Sequence, residues 1–104
     1  MSDDLLLIPD EELEKAADCL KVMGHPMRLR IVNILTQGEY PVGEIAELCD
    51  LRPNHACEHL RLLQGRGLLD SERQGREVYY KIADPQLESL IRCVQKNCGR
   101  FDEV

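Results

Sequence analysis

The chain has 104 residues, 43% of them hydrophobic, and a formal net charge of −6, which is room for one globular domain and not for two. Its longest uninterrupted apolar run, residues 5–8, is far short of the ~20 residues of a membrane span. Asp3 and Asp4, with no basic residue beside them, do not make a secretory signal, so the expected location is the cytoplasm and no membrane partner is expected.

Residues 1–10 read as a flexible arm. From Glu11 the pattern is helical, with Leu13, Ala16, Ala17, Leu20 and Met23 recurring at three and four, and acidic residues crowd the first turn, where the helix dipole favours them. Gly24 stops this helix and Pro26 opens the next, expected over 26–36 with Leu29, Val32 and Leu35 inward and Gly38 beyond its end. A short third helix over 42–49 places Val42, Ile45, Leu48 and Cys49 on one face. Asp50, Leu51 and Arg52 form a tight turn. Pro53 suits the first turn of a fourth helix running to about Gln64, with Ala56, Leu60 and Leu63 apolar, and Gly65 and Gly67 break it.

The period then changes. Residues 68–73 and 77–82 read as two strands around Gln74, Gly75 and Arg76, the second of them rich in strand formers. Asp84 caps a last helix with Pro85 at its first position; its stripe is Leu87, Leu90, Ile91, Val94 and Cys98. The expected fold is mainly α with a small β-hairpin, in the order four helices, two strands, one helix, with a domain over 11–98 and a tail over 99–104.

A short helix, a tight turn and a second helix make a helix-turn-helix, and a hairpin directly after it is the wing of a winged helix-turn-helix. The N-terminal part of such a second helix reaches base edges in the major groove of double-stranded DNA. Away from Leu60 and Leu63 the fourth helix carries Arg52, Asn54, His55, Glu58 and Arg61; asparagine pairs bidentately with adenine and arginine with guanine. Arg73, Gln74 and Arg76 at the wing, with Lys81 on its second strand, suit phosphate or minor-groove contact. The negative total does not exclude this, because residues 1–20 alone carry a net −6 and residues 21–104 hold 12 basic and 12 acidic residues. A solvated helix face is the plain alternative for these side chains, and a winged-helix protein-interaction module without DNA binding is the alternative for the domain.

In order and spacing, several segments resemble the ArsR-type repressors. His25-Pro26-Met27-Arg28-Leu29-Arg30-Ile31 resembles that family's "DPxRLxIL" signature. Glu39 to Ala46 is similar to the start of its third helix, His59-Leu60-Arg61-Leu62-Leu63 with Gly67-Leu68-Leu69 to "HLxxLxxxGLV", and Gly75-Arg76-Glu77-Val78-Tyr79-Tyr80 to its "GRxxxY" wing. The resemblance covers about residues 13–98. It implies a homodimer through the first and last helices, repression of transcription at an operator, and release by a small inducer or by thiol modification. Cys57 stands where most relatives have serine, and Arg52-Pro53 where they often carry a small polar cap followed by Gln or Ser.

The resemblance also locates two metal sites, and neither is expected here. The Cys-x-Cys of metal-sensing relatives falls on Pro41 and Gly43; the Asp, two His and Glu of zinc-binding relatives fall on Asp84, Gln86, Asn97 and Arg100, a set of poor zinc ligands with a repelling cation. No metal and no cofactor are expected. Five cysteines remain, with no Cys-x-x-Cys among them. Cys49 reads as a small buried hydrophobe. Cys98 lies near the C-terminal cysteine of persulfide-sensing relatives, whose second-helix partner matches Asn33. Cys19, Cys93 and Cys98 are candidates for a thiol sensor at the dimer interface, and Cys57 for one on the recognition helix, with packing as the alternative for each. His25 and His59 read as structural. No glycine-rich phosphate loop or paired carboxylates are present, and Cys57 and His59, two apart on a helix, point in different directions, so an enzyme is not expected.

Overall fold

The computed structural model describes residues 5–98, excluding the side chains of Asn97 and Cys98. Helices α1 (Asp10–Met23) and α2 (Pro26–Leu35) are followed by a two-residue strand β1 (Tyr40–Pro41), helices α3 (Val42–Cys49) and α4 (Pro53–Gly65), strands β2 (Leu69–Gln74) and β3 (Glu77–Ile82), and helix α5 (Gln86–Cys93), which winds on as a π-helical turn over Val94–Cys98. The four-helix, two-strand, one-helix order is therefore present with one insertion. Strand β1 pairs antiparallel with β3, Tyr40 opposite Tyr80, giving a three-stranded sheet in the order β1-β3-β2. Pro41 sits there without disrupting the sheet because β1 is an edge strand.

Local chemistry sets the breaks. His25 is extended, its Nδ1 accepts from the Met27 amide at 3.1 Å, and Pro26 follows in the first turn of α2; the imidazole serves as a side-chain N-cap. Asp84 Oδ1 accepts from the Gln86 amide at 2.9 Å; α5 begins one residue later than expected, with Pro85 rather than Asp84 at its N-cap. Asp50 closes α3 in the left-handed region, φ 55° and ψ 45°. Its amide bonds to the Glu47 carbonyl and that of Leu51 to the Ala46 carbonyl, a Schellman closure with aspartate in place of the usual glycine. Leu51, half-buried against the core, supplies the apolar contact that accompanies that motif.

The core is continuous. Ile31, Val32, Ile45, Leu60 and Leu63 have no exposed surface, and Met23, Leu69, Tyr80, Leu87 and Ile91 close around them. Helix α2 is its hub, packed against α1, α3, α5 and β3. It therefore buries Ile31 and Ile34 as well as the expected Val32 and Leu35, while Leu29 is only half-buried.

One expected face is corrected. Leu48 is 56% exposed: α3 turns Ile45, Ala46 and Cys49 inward, and Leu48 lies about 110° from the middle of that arc. On α1, only Val22 and Met23 are buried, with Cys19 half-buried, whereas Leu13, Ala16, Ala17 and Leu20 are exposed in the single chain. Among the described residues, its stripe is covered only at the C-terminal end, where Met23 enters the core.

Candidate nucleic-acid interface

Helix α4 is fixed from behind. Ala56, Leu60 and Leu63 are fully buried, and Gln64 Nε2 donates to Ser71 Oγ of β2 at 2.9 Å. A second tie runs to the α1–α2 junction: Arg28 Nε donates to His59 Nδ1 at 3.3 Å while its Nη1 donates to the Val22 carbonyl at 3.0 Å, and the His25 ring meets His59 edge-on at 4.8 Å. A ring nitrogen that accepts from a guanidinium must be unprotonated. Burial pushes the His59 pKa down, and electrostatic effects of His25, Arg28 and His55 push it further, against the opposing pull of Glu58. Both histidines hold the fold.

The outward side of α4 is ordered. At ~100° per residue, Asn54, Glu58 and Arg61 lie about 140–200° around the helix from the buried residues and form one exposed row. Arg52, exposed, caps α4 in an extended conformation without a side-chain bond. His55 is exposed too, but about 100° from Asn54 on the flank that leads to His59, so it is not part of the row. Cys57 is half-buried on the other flank. Burial pushes the Tyr80 phenol pKa up and the nearby Cys57 pushes it further, against Arg61, which lowers it.

The wing is a two-residue hairpin. Gln74 pairs with Glu77, and Gly75 (φ 67°) and Arg76 make the turn. A positive φ at the first central position alone is the type II′ pattern, which asks for glycine there. Arg76 is at the tip, exposed, with no side-chain hydrogen bond or ion pair among the described residues.

Alternation then separates the other wing residues. Leu69, Ser71 and Arg73 share the face of β2 that Gln64 of α4 touches, and Arg73 Nε donates to the Gly75 carbonyl at 3.4 Å. Lys81 is on the opposite face, paired with Asp70 and in the same row as Glu72, Gln74 and Glu77. That row is acidic, and Tyr79 donates to Glu77 within it at 3.2 Å. The geometry thus puts Arg73 on the α4 side, leaves Arg76 at the tip between the two faces, and sets Gln74 and Lys81 on the other face. The period of two along a strand is the signal in the sequence that separates them.

Strand β1 is the part that sequence reasoning missed. It immediately precedes α3 and pairs with β3, so the root of the wing and the start of the helix-turn-helix are hydrogen-bonded together. Tyr40 is a strand former, but a two-residue strand has no period of its own to read.

Cys49 is buried, and burial raises its thiol pKa, against a smaller opposing effect of Arg30. Cys19 packs on the core from α1 and Cys93 is exposed on α5; the Cys98 side chain lies outside the described residues, as do Arg100 and the 99–104 tail. Among the described residues, no three His, Cys, Asp or Glu side chains stand together as a metal site, and no helix is long and apolar enough to cross a membrane.

Residues 23–72 match the family model of a helix-turn-helix domain. The chain is 40% identical to the transcriptional repressor PagR of Bacillus anthracis, over 77% of this chain and 81% of that one. It is 32% identical to the biofilm growth-associated repressor of Agrobacterium fabrum, over 88% and 81%. Among solved structures, it resembles a homodimeric winged helix-turn-helix DNA-binding domain from Mycobacterium bovis, described as a possible ArsR-family regulator, with a TM-score of 0.77 and 29% identity over 95% of this chain and 88% of that one.

Proposed function

The chain belongs to the ArsR-type family of winged helix-turn-helix transcriptional regulators, and we propose that it is a dimeric, sequence-specific DNA-binding repressor acting in the cytoplasm. The observation that carries the reading is the exposed row Asn54, Glu58 and Arg61 on a helix whose opposite face is locked into the core. A rigid helix presenting short polar and guanidinium side chains is what major-groove readout requires. Arg52, Arg73 and Arg76 flank that row as phosphate contacts. His55, on the flank about 60° beyond Glu58, and Gln74 and Lys81, on the other sheet face, are the weaker members of the set.

The dimer forms through α1 and α5. The exposed Leu13 and Leu20 of α1 (48% and 59%) support this, since a lone chain leaves that stripe in water. A two-fold pair then presents its recognition helices to half-sites roughly 34–36 Å apart, or a multiple of that. Release from DNA follows binding of a small inducer or modification of a thiol, with Cys57, half-buried beside the reading row, and Cys19, Cys93 and Cys98 as the candidates. Cysteine-to-serine variants at 19, 57, 93 and 98 test the thiol route: if all four respond to arsenite and polysulfide as the parent does, that route is wrong.

The direct test is a mobility shift with the DNA upstream of the chain's own coding sequence. A retarded complex at low salt is expected. No shift under those conditions, where phosphate attraction is greatest, overturns the proposal and leaves a protein-interaction module.

A further inference from the structure

Helices α2 and α5 leave an apolar groove of about 320 Å³ on the surface, with Pro26 and Leu29 on one wall and Ile91 and Val94 on the other. Arg30, Asn33 and Gln95 line it too. It adjoins a second depression that shares Ile91 and Gln95 and reaches Arg92. Lys96 is exposed one turn beyond. Among the described residues that line these depressions, Glu88 supplies a carboxylate, paired with Arg92 at 3.9 Å. The groove is therefore greasy inside, with the Arg30 guanidinium on its rim and the Arg92–Glu88 pair in the adjoining depression.

The same chain carries a segment of opposite design. Leu5, Leu6, Leu7 and Ile8 are 67%, 92%, 79% and 59% exposed. Asp3 and Asp4 precede them in the sequence, and Asp10, Glu11 and Glu12 follow in the first turn of α1. An apolar tetrad bracketed by carboxylates complements an apolar groove with a guanidinium on its rim. Four adjacent exposed aliphatic side chains are also a patch that a free protomer does not keep in water without cost.

The groove of the same protomer is the wrong target. Pro26 lies just past the end of α1, and Asp10 is at its start, about 20 Å away at ~1.5 Å per residue. The arm 5–9 spans at most about 17 Å when fully stretched, too short to run back along the helix and still lay four side chains in the groove. An arm from a second copy is not bound by that reach.

We propose that residues 5–8 of a second copy of this chain lie in the groove between α2 and α5, with Asp10 to Glu12 of that copy against Arg30 and Arg92. This rests on the dimer reading above and adds a reciprocal arm exchange to it. The arm then couples the dimer to α2, the helix from which Arg28 reaches His59 on the recognition helix.

The test places the photo-crosslinker p-benzoylphenylalanine at position 7, an exposed site outside the core, and irradiates the full-length protein, with sedimentation velocity run in parallel. The expected result is a covalent dimer whose crosslinks map to α2 and α5 around Leu29 and Ile91. A second variant, Leu6→Asp with Leu7→Asp, is expected to raise the dimer dissociation constant by about tenfold or more if the aliphatic side chains are buried there. A dimer whose crosslinks fall elsewhere on the partner, within one chain or nowhere overturns the arm exchange and leaves the α1–α5 dimer standing. A monomer in sedimentation overturns the dimer itself, and the arm exchange with it.

Discussion

Replacing Arg76 with alanine removes one cation from each wing tip, two per dimer, with little effect on the fold. The side chain is exposed and makes no hydrogen bond or ion pair among the described residues, and the turn conformation depends on Gly75 beside it. If each Arg76 neutralises one phosphate, the slope of log K against log salt falls by about 0.9 per phosphate, or about 1.8 for the dimer. Taking 1 M salt as the point where this contribution vanishes, binding weakens about 60-fold at 0.1 M and about fivefold at 0.4 M. Fluorescence anisotropy on a labelled duplex from the upstream region, titrated across that salt range, reads the slope directly. Lys81→Ala is the built-in contrast: the same charge is removed, but from the sheet face shared with Asp70, Glu72 and Glu77, so its slope should stay that of the parent. An unchanged slope for Arg76→Ala, or equal changes from both variants, refutes the assignment of the wing.

Three further outcomes follow from the same geometry. Asn54→Ala and Arg61→Ala should each weaken operator binding by about 1–3 kcal/mol for every bidentate base pairing removed, while leaving binding to unrelated DNA nearly unchanged, which competition titrations would show; equal weakening on both DNAs would make these residues phosphate-binding groups. Leu60→Ala empties a fully buried site behind the recognition helix and should cost about 2–5 kcal/mol in urea unfolding; a smaller cost would mean that α4 is not anchored there. The fold holds the His59 pKa below its ordinary value, so from about pH 6.5 downward the unfolded chain takes up the proton first and stability falls with pH until the folded-state pKa is passed. His59→Gln should flatten that part of the stability–pH curve, and a curve identical to the parent's would remove His59 as its cause.

Much of the fold is written locally. Pro26 and Pro53 mark first turns, Asp84 and Pro85 lead into α5, and Gly75 between two strand-forming runs marks the wing; each signal acts within a few residues, so the sequence displays it. Contacts across the chain are not displayed in that way. Strand β1 exists only because Tyr40 meets Tyr80, and the Arg28–His59 bond joins residues 31 positions apart. Periodicity located the apolar stripe of α1 correctly, yet it names an apolar face and not what covers it; among the described residues that stripe is covered only at its Met23 end. For the site, spacing alone brought Asn54, Glu58 and Arg61 together. Charge along the hairpin says nothing of faces, and strand alternation puts Lys81 on the sheet face opposite Arg73.

Whether a two-fold pair of recognition helices reads DNA is decided by selecting bound sequences from a random double-stranded library. Enrichment of an inverted repeat with half-site centres about 10–11 base pairs apart, or a multiple of that, is expected, with loss of the enriched positions in Asn54→Ala or Arg61→Ala. Recovery of no preferred sequence, or of a single asymmetric site bound by one chain, would contradict it.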